Sequence, residues 1–201
     1  MRSFITLTAC LLITNYLAAQ STINYGSLAT FSENGNLQIV VEIPAGTNKK
    51  LEYNYVTNTF PADIKDGEER IINFLPYPGN YGFIPSTMMN RVRGGDGDAL
   101  DVLVLSQHSA TQTILEVIPI ALLNLIDNGE IDSKIIAVPI NPNHRVISAA
   151  SYSQLHSEYP NVQRLIELWF TSYKGSGIVE FNGWGNELSA KAEIEKWLVP
   201  N

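Results

Sequence analysis

The chain has 201 residues, with 13 Lys and Arg against 20 Asp and Glu and a formal net charge of −7. That length suits one domain, and 45% hydrophobic residues is enough for a real core, so whole-chain disorder is excluded. The acidic balance excludes a general nucleic-acid or anionic-membrane binder, which needs a basic face, and a single cysteine excludes an internal disulfide framework.

Met1 to Ala19 reads as a secretory signal. Arg2 is a minimal positive start, Phe4 to Leu17 is mostly apolar, and Leu17-Ala18-Ala19-Gln20 offers small residues to a peptidase. The apolar stretch is shorter than the roughly 20 residues that a membrane-spanning helix needs. Cleavage after Ala19 or Gln20 removes Arg2 and Cys10 and leaves 12 basic and 20 acidic residues, a charge of −8, with no cysteine. Such a chain suits an oxidising compartment. Leu7-Thr8-Ala9-Cys10 offers a second reading, a lipoprotein box with Cys10 as the lipidated terminus. Both readings place the protein outside the cytoplasm, in the periplasm of a bacterium, either soluble or anchored through Cys10; a third reading is an uncleaved anchor or a buried segment.

Residues 20–36 are polar and small, a linker or an arm lying over the domain that occupies 37–201. Leu37 to Ile43 is a β-type run ended by Pro44 and Gly46. Leu51 to Val56 alternates Tyr53 and Tyr55 with Glu52 and Asn54 and predicts a second strand. Thr57 to Glu69 is a turn region, and Arg70 to Phe74 starts another short strand. Pro76, Pro78, Gly79, Gly82 and Pro85 punctuate a loop-rich stretch. A Gly/Asp loop over Arg91 to Asp98 feeds Val102 to Leu105, which fits a buried strand. Leu115 to Leu125 is apolar, and Asp127-Asn128-Gly129-Glu130 predicts a tight hairpin, because Asn-Gly supplies the positive φ such turns require. Lys134 to Ile140 is the return strand. Val162, Leu165, Ile166, Trp169 and Phe170 recur at helical spacing, Ile178 to Phe181 is a short strand, and Ser189 to Leu198 is an amphipathic helix with Ser189 as N-cap. Many short strands followed by one or two helices predict a small closed barrel with helices packed outside.

The informative chemistry is in the carboxylates. Asp96-Gly97-Asp98-Ala99-Leu100-Asp101 puts three of them in six residues at a loop-to-strand junction. Like charges so close destabilise one another unless a cation lies between them. Oxygen-only ligands suit hard cations such as Mg²⁺ or Ca²⁺. An EF-hand is excluded, because its fifth and twelfth positions would be Leu100 and Gln107. A solvated acidic loop is the bland alternative, but Leu100 and the apolar run behind Asp101 pin that residue beside the core. Two further groups are Asp127, Asp132 and Lys134 on the hairpin, and Glu42, Lys50 and Glu52 on neighbouring strand candidates; each alone fits a surface ion pair. No phosphate-loop or nucleophile-elbow motif is present, and His108, His144 and His156 show no metal-ligand spacing.

Taken with Tyr81 and Tyr173-Lys174, these groups resemble the soluble family I inorganic pyrophosphatases. Asp96 to Val102 is similar to that family's Asp-x-Asp-Pro/x-hydrophobic-Asp-hydrophobic signature, with Ala99 in place of the usual Pro. Val41-Glu42-Ile43-Pro44 resembles its Glu-Ile-Pro strand. Lys50-Leu51-Glu52 resembles its Lys-Tyr-Glu strand, with Leu51 for the aromatic. Tyr77 to Pro85 resembles its Tyr-Pro-x-Asn-Tyr-Gly-Phe-Ile-Pro segment. Asp127 to Lys134 keeps Asp-x4-Asp-x-Lys, and Ser172-Tyr173-Lys174 and Gly183-Trp184 match its C-terminal landmarks. The resemblance runs from Leu37 to Trp197.

The resemblance implies an antiparallel barrel of the OB type with C-terminal helices. It also implies Mg²⁺-dependent hydrolysis of pyrophosphate and a homo-oligomer, hexameric in bacterial relatives. It implies Asp98 as general base. Asp96, Asp101, Asp127, Asp132, Glu42 and Glu52 would hold several Mg²⁺ ions. Lys50, Arg70, Tyr81, Lys134, Tyr173 and Lys174 would hold phosphate. Arg70 lies one residue nearer Tyr81 than the family spacing, which leaves Lys65 as its alternative. The charge count agrees: seven carboxylates against Lys50, Arg70, Lys134 and Lys174 leave −3 before substrate. Each phosphate adds about −1.5 to −2, so about three or four divalent cations are needed for neutrality. Two rival functions share these residues: a barrel that binds structural Ca²⁺ without catalysis, and a secreted hydrolase of nucleotides or short polyphosphate.

Overall fold

A computed structural model describes residues 23–199. The expected signal segment, with Cys10, lies outside the described residues. Among the described residues nine strands and three α-helices follow one another: β1 Leu37–Ile43, β2 Ile64–Lys65, β3 Glu68–Glu69, β4 Asn80–Phe83, β5 Asp101–Val104, β6 Ile114–Asp127, β7 Glu130–Ile131, β8 Lys134–Pro139, α1 Tyr152–Glu158, α2 Pro160–Ser172, β9 Val179–Gly185 and α3 Glu187–Trp197. Among the described residues no helix is long and apolar enough to cross a membrane.

Five strands close a ring. β1 pairs antiparallel with β4 and with β6, β4 with β5, β8 with β6, and β5 runs parallel to β8. This is the mainly β, OB-like barrel with C-terminal helices that the sequence predicts. The 14-residue β6 makes closure possible: its first part pairs β1, its middle β8, and its end β7 and β9. Pro119 would break a ladder bond, and it lies where the β6–β8 register shifts, so the irregularity absorbs the missing donor. β4 and β1 approach so closely that a Cβ on Gly82 would lie 1.9 Å from the Val40 carbonyl oxygen. Only glycine fits there.

Alternation along the strands divides the core. Ile39, Val41, Val102, Val104, Ile135 and Ala137 share the barrel interior with Ala190, Ile194 and Trp197 of α3, which seal it. Leu103, Ile136 and Val138 face outward onto Ile166, Trp169 and Phe170 of α2. A third cluster gathers Val40, Tyr53, Phe83 and Ala99 beneath Tyr25, Leu28 and Phe60. Residues 23–36 therefore lie on the domain as an arm, with a short 3₁₀ turn at Tyr25–Ser27 and Thr30 Oγ1 donating to Pro85 O at 2.8 Å.

Several local expectations are corrected. Leu51 to Val56 makes only isolated bridges, Leu51 to Ala62 and Asn54 to Thr59. The Asn54 carboxamide accepts the N–H groups of Val56 and Thr57 and turns the chain back before a ladder can form. Arg70 to Phe74 contributes one bridge, Ile71 to Lys49. The stretch read as loop contains β4, whose Gly82 answers to close packing rather than to a turn. The last helix is capped by Asn186, whose Oδ1 accepts from Leu188 N and Ser189 N at 3.1 Å each, not by Ser189. The Asn128-Gly129 turn is as expected, both residues with positive φ (51° and 85°).

Candidate active site

The site sits where several strands start or end on one rim of the barrel. Glu42 is the penultimate residue of β1. Its side chain is buried, and its Oε1 accepts from Tyr53 N at 2.7 Å. Burial, then the Asp101 carboxylate, push its pKa up to about 8. The loop before β5 turns through Gly94 and Gly97, both with positive φ, and Asp96 Oδ1 accepts from Asp98 N at 3.0 Å. Burial and neighbouring carboxylates raise both Asp96 and Asp98 above the usual carboxylate range.

Asp101 opens β5, and the parallel register sets it beside Lys134, the first residue of β8. Lys134 is fully enclosed, with a side chain 4% exposed, and its ammonium bonds both Asp101 Oδ2 and Asp132 Oδ1. Burial opposes its charge, yet the two carboxylates hold it well above the usual lysine range. Tyr81, on β4, donates to the same Asp101 oxygen. Burial, then Asp101, keep the Tyr81 hydroxyl protonated far beyond neutral pH.

Two clefts open near these groups. One, of about 140 Å³, is lined by Glu42, Lys50, Glu52, Tyr81, Asp98 and Asp101, with Tyr53 and Tyr55 at its wall. The other, of about 600 Å³, is lined by Lys65, Arg70, Tyr173 and Lys174. Tyr173 is stacked on Trp169 of α2, with centroids 4.7 Å apart, and Lys174 reaches back to Asp127 at the end of β6. Among the described residues the structure thus gathers each residue singled out from the sequence on one rim. Arg70 and Lys65 line the same cleft, so the spacing alternative is one of distance within a shared pocket.

Sequence reasoning missed Asp63. Its Oδ2 lies 3.0 Å from Arg70 Nη1 and 3.4 Å from Lys50 Nζ, tying two phosphate-type cations together. Burial pushes Asp63 up, but Arg70 and Lys50 outweigh it and hold it below the usual carboxylate range. Asp63 sits in a stretch with no motif, so nothing in the linear pattern marks it. The histidines stay out of the site: His108 Nδ1 pairs with Ala45 O at 3.1 Å, and His156 stacks on Tyr152.

A family model described as inorganic pyrophosphatase matches residues 39–199. The chain belongs to the inorganic pyrophosphatase family. The inorganic pyrophosphatase of Neisseria meningitidis is 32% identical over 173 residues, covering 82% of this chain and 90% of that protein. Among solved structures, an inorganic pyrophosphatase from Neisseria gonorrhoeae is 34% identical, with a TM-score of 0.68, covering 82% of this chain and 90% of that one. The inorganic pyrophosphatase from Thermus thermophilus is 27% identical, with a TM-score of 0.73, covering 88% and 97%.

The donors are carboxylate oxygens, with neither imidazole nor thiolate beside them, which is the chemistry that hard divalent cations take. Among the described residues no three of them are grouped closely enough to form a ready metal cluster, and the Lys134 ammonium stands between Asp101 and Asp132. Glu42 is the clearest sign: a carboxyl pressed toward its neutral form by burial and then by Asp101 is what a nearby cation would relieve.

Proposed function

We propose that the protein hydrolyses inorganic pyrophosphate to two orthophosphates, with Mg²⁺ held by Glu42, Glu52, Asp96, Asp101, Asp127 and Asp132. The observation that carries this reading is the link between an acidic cleft and a basic cleft: Lys50 of the first and Arg70 of the second share the carboxylate of Asp63. An acidic cleft alone would serve a structural ion, and the basic one would then have no role. Bound magnesium supplies charge neutralisation and makes water more acidic at neutral pH.

The chain's own groups do the rest. Asp98 lines the acidic cleft and is exposed, so a water can reach its carboxylate. It takes the proton of the attacking water as that oxygen bonds to one phosphorus. The bridging P–O bond breaks, and the second phosphate leaves with the bridging oxygen. Lys134 and Lys174 give up their carboxylate partners and turn to phosphate oxygens. Lys50 and Arg70, preset by Asp63, and the hydroxyls of Tyr81 and Tyr173 complete the cradle. Nucleotides and short polyphosphate are the less favoured substrates, because the matched family is named for pyrophosphate.

The test is phosphate release from pyrophosphate with and without Mg²⁺, beside an Asp98→Asn variant. Release that needs Mg²⁺ and falls about 10²–10⁴-fold in the variant is expected, the usual worth of a positioned general base. No release with any divalent metal overturns the reading. On Met1 to Ala19 we also propose export, which finding the uncleaved chain in the cytosolic fraction refutes. Self-association, carried over from the resemblance, is checked by sedimentation.

A further inference from the structure

We propose that the N-terminal arm, through Tyr53, is a positioning element for Glu42 and so sets the metal affinity of the site. The inference rests on the reading of Glu42 as a metal ligand. Its physical basis is the pairing of the segment that carries Lys50, Glu52 and Tyr53. Lys50, Glu52 and Asn54 give their N–H groups to the backbone of Arg70, Pro61 and Thr59, at 3.0, 3.1 and 2.8 Å. Tyr53, between them, gives its N–H to the buried Glu42 carboxylate instead, at 2.7 Å.

The Tyr53 side chain is held between the barrel and the arm. Its ring stacks on Phe83, with centroids 5.2 Å apart and planes at 20°. Tyr25 covers it edge-on, and Tyr25 in turn packs on Phe60. The Tyr53 hydroxyl accepts from Gly26 N at 3.1 Å and lies 2.9 Å from Asn58 Oδ1 and 3.2 Å from Asn24 Oδ1, either of which it can donate to. Asn58 clamps the arm a second time, accepting from Tyr25 N at 3.3 Å and donating to Ile23 O at 2.8 Å. Gly26 is what lets the arm lie down. A Cβ there would stand 2.7 Å from Tyr55 Cδ1 and 3.1 Å from Tyr53 Cε1. The path from the arm to the site is therefore continuous: Gly26 to the Tyr53 hydroxyl and ring, Tyr53 N–H to Glu42.

Partners of metal ligands typically set affinity by 10–100-fold. Gly26→Val pushes the arm off the Tyr55 and Tyr53 rings, and Tyr53→Phe removes the hydroxyl while keeping ring and backbone N–H. Mg²⁺ affinity is read by titration calorimetry on the full chain without substrate, beside the melting temperature and the Mg²⁺ dependence of pyrophosphate hydrolysis. Gly26→Val should bind Mg²⁺ about tenfold more weakly, and Tyr53→Phe in the same direction by less. Excess Mg²⁺ should restore kcat in both. A lowered melting temperature with unchanged Mg²⁺ affinity makes the arm merely structural and overturns the inference. So does a fall in kcat that saturating Mg²⁺ does not restore. Calorimetry does not depend on turnover, so an inactive wild type that still binds Mg²⁺ would sink the pyrophosphatase reading without deciding this one.

Discussion

Lys134→Met isolates the buried charge at the centre of the site. Met keeps the length and apolar stem of the side chain and removes only the ammonium. That ammonium is enclosed, and it pairs with Asp132, 12% exposed, and Asp101, 23% exposed. Breaking a buried ion pair by removing one partner costs about 3–5 kcal/mol, because the other charge stays buried. Asp101 is the more exposed partner and can draw on water, which places the loss near the lower end, about 3 kcal/mol. For a domain of this size each kcal/mol shifts the melting temperature by about 2–4 °C, so the variant should melt about 6–12 °C below wild type in EDTA. Scanning calorimetry measures this. Saturating Mg²⁺ should narrow the gap, because the two carboxylates lose their internal counter-ion and gain an external one. Equal melting temperatures in EDTA would refute the reasoning, since Lys134 would then contribute nothing to holding Asp101 and Asp132 together. A gap that Mg²⁺ leaves unchanged would show that these carboxylates are not metal ligands.

Gly82→Ala forces a Cβ to within 1.9 Å of the Val40 carbonyl oxygen, a backbone atom that cannot swing away. The β1–β4 pair must part, at about 3 kcal/mol. Urea unfolding should show a clear drop in midpoint, and a loss below about 0.5 kcal/mol would mean the strands are not so close. Asp63→Asn frees Lys50 and Arg70 from a shared anchor and should raise KM for pyrophosphate several-fold, with kcat less affected; steady-state kinetics decides. It also carries a pH signature. Asp63 is held below its ordinary value of 3.8, so its contribution to stability is present above that pH and lost as pH falls through the lower native value. The stability difference between wild type and Asp63→Asn should therefore shrink below about pH 4 and be flat above it.

The parts legible in the sequence are those written in local pattern. The run from Leu37 to Ile43, the Asn128-Gly129 turn and the 3.6-residue recurrence of Val162 to Phe170 each appear as elements, because hydrophobic spacing and positive φ are local demands. The helix Tyr152–Glu158 is not legible: only Leu155 among its residues is buried, so no apolar stripe marks it. The strand Asn80–Phe83 is hidden for the opposite reason. Its glycine, read as a breaker, is demanded by a neighbour 42 residues away in sequence, Val40. The site residues were legible as motifs, but Asp63 and Tyr53 were not. Each acts through a partner that only the fold brings near.

The placement of the charges explains why one barrel rim can carry them. Asp101 and Lys134 open strands whose other residues are buried, and Glu42 lies between the buried Val41 and Ile43, so their backbone positions are set by the core. Charges anchored this way cannot relax apart, and the repulsion among the carboxylates is kept available for a cation. The other phosphate-type cations are placed differently. Lys50 and Arg70 stand on the irregular segment around the β2–β3 hairpin, and Lys174 follows the end of α2. These are the parts of the rim that can adjust. A rigid acidic wall facing adjustable cations suits a reaction in which the metal positions must stay fixed while the phosphate they neutralise divides in two and leaves.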